Sequence, residues 1–92
     1  MTDETSPQAR LRSALPGLTR AENQLATRIL AHYPMAALGS VAALARDAGV
    51  SGPTVVRMVQ KLGYRGFPQF QEAVREELGE RLALPVAKRE KW

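Results

Sequence analysis

The stretch "ARDAGVSGPTVVRMVQKLGYRGF", from Ala45 to Phe67, decides the fold. Ala45 is small, Gly49 follows four residues on, Ser51 comes two later, and Pro53 opens a run with helical spacing. Two short helices joined by a tight turn containing glycine are the pattern of a helix-turn-helix. Ala45 lets the two helices approach, and Gly49 supplies a left-handed backbone that a β-carbon would penalise. Val50 should be buried inside the turn. Ser51 caps the next helix, and Pro53 falls in its first turn, where a missing N–H costs little. Val55, Met58, Val59 and Leu62 form its inner face, and Gly63 ends it.

Working back from this stretch, "SVAALARDAG" predicts a helix capped by Ser40, with Val41, Leu44, Ala45 and Ala48 facing inward. Before it, Thr19 and Glu22 have the spacing of a capping box. Leu25, Ile29, Leu30 and Tyr33 then make a stripe over about 20–33, which Pro34 brings to an end. Pro7 opens a first helix with Leu11 and Leu15 on one face, and "LPGL" ends it. Working forward, Phe67, Phe70, Val74 and Leu78 predict a fifth helix that ends near Leu84–Pro85. No alternating run suggests a strand. The expectation is an all-α, compact five-helix domain over 7–84, after a disordered tail at 1–6. Residues 85–92, which include "VAKREKW", read as a tail or the start of a linker.

Composition bounds the function. Ninety-two residues make one small domain, and 45% apolar but only 5% aromatic residues suit packed helices with Ala, Leu and Val at the contacts. No cysteine is present, so disulfides and thiolate metal sites are excluded. No apolar run approaches the roughly 20 residues that span a bilayer, and "MTDETSPQ" is no signal peptide. Cytoplasm is the expected location, without membrane association. The lone histidine, His32, sits near a helix end and offers no catalytic set. The carboxylates Glu72, Glu76, Glu77 and Glu80 read as a solvated helix face. Neither an enzyme nor a bound cofactor or metal is expected.

The net charge is +4, and its placement is informative. Between Val41 and Gly66 the charged residues are Arg46, Asp47, Arg57, Lys61 and Arg65, nearly all basic. At about 100° per residue, the side of the fourth helix opposite Val55, Met58 and Leu62 carries Pro53, Val56, Arg57, Gln60 and Lys61. It has no acid. A helix of this kind fits the DNA major groove with its N-terminal part nearest the bases. Arg57 suits guanine, Gln60 suits adenine, and Val56 suits a thymine methyl. Lys61 and Arg65, further along, suit phosphates. Ser40, Ser51 and Thr54, with the helix start at Gly52 and Pro53, offer uncharged phosphate contacts. The expected partner is double-stranded DNA.

Other readings attach to smaller features. "GYRG" matches the GxxG loop of an RNA-binding KH domain, but that fold needs strands. The first helix, through Leu11 and Leu15, could pair with a second copy, and readers of this kind commonly bind two half-sites as dimers.

The segments "LTRAENQLATRILAHYP" and "SVAALARDAGVSGPTVVRMVQKLGYRGFPQF" resemble the N-terminal domain of RpiR-type bacterial transcriptional regulators, over roughly Leu11 to Leu82. "GVSGPTVVR" and "KLGYRGFPQF" are the most specific parts. Two departures are Met58, where members often carry Phe, and Gln60, where they often carry a basic residue. The resemblance implies a five-helix DNA-binding domain that controls genes of sugar catabolism. It also implies a following sugar-isomerase-type domain that binds a phosphosugar effector and helps oligomerisation. This chain ends at Trp92, so an excised domain is expected.

Overall fold

The computed structural model describes residues 6–83, which form α1 (Pro7–Ala14), α2 (Arg20–Ala31), α3 (Val41–Ala48), α4 (Gly52–Lys61) and α5 (Phe67–Ala83). Short 3-10 turns at Leu15–Gly17 and Met35–Ala37 complete the order, and no strand occurs among the described residues. The all-α, five-helix expectation holds.

The starts of α1 to α4 each have a local chemical cause. Ser6, read from the sequence as tail, is the N-cap of α1 and accepts the Ala9 N–H at 3.1 Å. Thr19 and Glu22 form the capping box reciprocally, Glu22 N–H to Thr19 Oγ1 at 3.1 Å and Thr19 N–H to Glu22 Oε1 at 2.9 Å. Ser40 and Ser51 cap α3 and α4 through the N–H groups of Ala43 and Thr54. Such caps are each worth about 1 kcal/mol.

The ends of α3 and α4 share one design. Gly49 has φ 74° and Gly63 φ 105°. Around the first, Gly49 N–H reaches Arg46 O at 3.2 Å and Val50 N–H reaches Ala45 O at 2.9 Å. Around the second, Gly63 N–H reaches Gln60 O at 3.0 Å and Tyr64 N–H reaches Val59 O at 3.1 Å. Both are Schellman motifs, in which the left-handed residue turns the chain back over the last carbonyls.

The core draws on every helix. Leu11, Leu25, Ile29, Leu44, Val55, Met58, Val59, Phe70 and Val74 are buried, with Ala26, Ala45 and Ala48 filling close approaches. Val50 is half-buried rather than buried, packed against this core from its rim. α2 ends at Ala31, not Tyr33, because Pro34 disfavours helical backbone at the residue before it, and His32 already leaves the helix as its C-cap. Leu11 is fully buried inside the domain, so the expected pairing of two copies through Leu11 and Leu15 has no free face there. The tail at 1–5, Leu84–Pro85 and the remainder to 92 lie outside the described residues.

Candidate nucleic-acid interface

α4 presents two faces. Thr54, Val55, Met58, Val59 and Leu62 are buried, and Pro53, Arg57 and Gln60 are exposed on the opposite side, with Val56 half-buried beside them. Val56 and Arg57 lie three and four residues after Pro53 and four and three before Gln60, so the four form one outward stripe. Arg57 stands at its middle. No hydrogen bond or ion pair engages its guanidinium with any described residue, so its five donors are directed to solvent. Arg65 is likewise exposed, just beyond Gly63. Arg46 on α3 is 3.9 Å from Asp47, with both side chains more than half exposed, a pair that contributes little.

The N-terminal ends carry the expected hydroxyls. Ser40 and Ser51 are exposed, while Gly52 is half-buried and Pro53 exposed. Thr54 differs from expectation. It is 8% exposed, and its Oγ1 is 2.9 Å from Ser51 Oγ. Its hydroxyl completes the cap instead of facing outward, because position 54 shares the inner side with Met58.

Gln60 also has an internal role in this structure. Its Nε2 donates to the Arg65 carbonyl at 3.1 Å and ties the end of α4 to the following loop. That bond uses one of the two amide hydrogens, so an adenine contact would have to be made with the other and with Oε1.

Lys61 departs furthest from the sequence reading. Its Nζ donates to Glu22 Oε1 at 2.7 Å. The same carboxylate oxygen accepts the Thr19 N–H, and the Glu22 side chain is only 3% exposed. Burial by itself pushes the Glu22 carboxyl pKa up. The hydrogen bonds from Lys61 and Thr19, with the lysine charge, more than offset this and hold it below the usual carboxylate value. Removing one partner of a fully buried pair costs about 3–5 kcal/mol, because the other charge is left without compensation. Here the cost is smaller, since the Lys61 side chain is 43% exposed. The acid-free outer face inferred from α4 alone holds within that helix, but α2 brings an acid to its edge.

Two further residues hold the motif from outside it. Arg10 on α1 donates to the Leu62 carbonyl at 3.0 Å and lies 4.9 Å from the centre of the Tyr64 ring. It thereby caps the C-terminal end of α4. Gln24 on α2 donates to the Ala48 carbonyl at 2.6 Å and caps α3 beside Gly49. Glu22, Arg10 and Gln24 were not singled out for these contacts. The capping box marked Glu22 as a local partner, but nothing local signals Arg10 or Gln24. From the other side, Gln71 on α5 donates to the carbonyls of Ala37 and Gly39, just before Ser40.

This bihelical unit, held by flanking helices, has close counterparts. Residues 6–81 match the model of the helix-turn-helix domain of the rpiR family. The chain belongs to that family. It is 38% identical over 76 residues to the HTH-type transcriptional regulator YfhH of Escherichia coli K12, covering 83% of this chain and 27% of that protein. Among solved structures it is similar to the N-terminal domain of the transcriptional regulator ybbH of Bacillus subtilis. There the TM-score is 0.70 at 30% identity, over 75% of this chain and 84% of that one. It is also similar to the Vibrio vulnificus NanR protein, solved in complex with ManNAc-6P. That match has a TM-score of 0.76 at 26% identity, over 90% of this chain and 32% of that one. The chain thus spans about a quarter of the length of YfhH. Among the described residues no helix is long and apolar enough to cross a membrane.

Proposed function

We propose that this rpiR-family domain binds double-stranded DNA sequence-specifically as the reading head of a transcriptional regulator, without catalytic activity of its own. α4 enters the major groove. Arg57 pairs with a guanine edge, and Pro53 and Val56 line the groove floor beside it. Ser40, Ser51 and Gly52 at the starts of α3 and α4 face phosphates, with Arg46 and Arg65 as flanking cations. The observation that carries this reading is the unpaired, exposed guanidinium of Arg57 at the centre of an outward stripe without acids.

At the level of the whole regulator, we place this domain in the cytoplasm as part of a homodimer reading two half-sites. Its genes belong to sugar or phosphosugar metabolism, and a phosphosugar effector acts through a domain outside this chain. The ManNAc-6P in the NanR complex supports that chemical class. Selection of bound sequences from random duplex DNA tests the reading. Enrichment of one half-site is expected, as an inverted repeat if two copies bind together. No enrichment would refute it.

A further inference from the structure

The recognition surface of α4 is held by residues that do not belong to it, and one of its own cations belongs to that support. Lys61 lies seven residues after the buried Thr54, two turns along the same side, and so at the edge of the inner face. Its ammonium is bonded to a carboxylate that has almost no contact with solvent. Glu22 is in turn fixed by the capping box at the start of α2. The pair therefore joins the first turn of α2 to the last turn of α4. One residue further along, Arg10 binds the Leu62 carbonyl from α1.

We propose that Lys61 is a positioning residue for DNA reading, locked to Glu22, and not a phosphate contact. A phosphate would have to compete with a carboxylate already desolvated and at hydrogen-bond distance. Glu22 also neutralises the lysine, so little counterion release is left for it to provide. Its role is to fix the rotation of α4 about its own axis, and with it the direction in which Arg57 and Val56 point. This role rests on the reading of α4 as the groove-entering helix.

The test uses the 92-residue chain and a duplex that it selects from random DNA. The parent is compared with Glu22→Gln and with the double variant Glu22→Gln/Lys61→Met. The double variant removes both charges, so neither is orphaned, and circular dichroism verifies its fold. Affinities for the selected duplex and for its single-base-pair variants are measured at several salt concentrations.

We expect the double variant to keep the parent's slope of log K against log salt, while its preference for the selected duplex falls roughly 3- to 30-fold, within the range of coupled contacts. Glu22→Gln should lose a similar share of preference, with a slope as steep as the parent's or steeper, because its lysine is released. A double variant with its preference intact and a slope shallower by about one unit would make Lys61 a phosphate contact and overturn the role. Retained preference in Glu22→Gln would overturn it too, and decides the matter if the double variant does not fold. A parent that enriches no sequence at any salt refutes the DNA reading itself, and the positioning role falls with it.

Discussion

Arg57 and Lys61 stand one turn apart on α4 and carry the same charge, yet their surroundings differ sharply. Arg57 has no protein partner among the described residues, and Lys61 has a buried one. Arg57→Ala is expected to cost about 1–3 kcal/mol on the preferred duplex and to relax base preference at one position per half-site. Binding to single-base-pair variants of that duplex checks this. A uniform loss over all sequences would make Arg57 a phosphate contact. Glu22 gives a pH prediction. Its carboxyl pKa is lowered in the folded state, so its contribution to stability is present above the ordinary carboxylate range. That contribution is lost as the pH falls through the lowered value. Thermal melts between about pH 5 and pH 2 should show a smaller loss of Tm in Glu22→Gln than in the parent, since unperturbed glutamate titrates near about 4.3. Parallel curves would mean that the Glu22 pKa is not lowered by folding.

At the scale of elements, the turn between α3 and α4 is the most constrained part of the chain. Gly49 has φ 74°, and a β-carbon there would come within 3.2 Å of the Gln24 amide that caps α3. Gly52 has an ordinary backbone, and a β-carbon would sit 3.7 Å from Val41 Cγ1, normal contact distance. Gly49→Val should therefore cost at least about 1 kcal/mol from backbone strain alone, while Gly52→Ala should be nearly neutral. Thermal melts of the two variants check this, and equal Tm values would contradict the turn geometry. The same elements explain what could be read in advance. Ser40, Ser51, Thr19 and Gly49 act on groups within a few residues of themselves, so their pattern is visible in the sequence. The contacts of Lys61 with Glu22, Arg10 with Leu62 and Gln24 with Ala48 span 39, 52 and 24 residues. Helical periodicity places each of these residues on a face but does not say which face of another helix meets it. For that reason Lys61 reads as free in the sequence, whereas the contacts of Thr54 with Ser51 and of Gln60 with Arg65 are local and depend on side-chain direction, which periodicity does not give.

At the scale of the whole molecule, the question is how much of the positive charge is available to a polyanion. The long-range contacts divide the cations in and around the helix-turn-helix into two groups. Lys61 is neutralised by a buried acid, and Arg10 is turned inward onto a carbonyl and a ring. Arg46, Arg57 and Arg65 are exposed, and the one ion pair among them, Arg46 with Asp47, is long and solvated. The exposed acids Glu72 and Glu76 belong to α5, beyond the recognition helix in the chain. Arg46, Arg57 and Arg65, the exposed arginines of α3, α4 and the turn that follows, imply three phosphate or base-edge contacts of cationic character from this face. At about 0.9 counterion released per phosphate, contacts from this face alone should make log K fall with log salt at a slope of about −3 for each domain bound. If Arg57 lies on a base edge, only Arg46 and Arg65 act on phosphates, and the slope moves toward about −2. Titration of the selected duplex over a range of potassium chloride measures this directly. A slope near zero would mean that binding does not use the phosphates at all, and a slope near −4 would bring in a cation from outside this group, such as the exposed Arg12, Arg20 or Arg28 of α1 and α2.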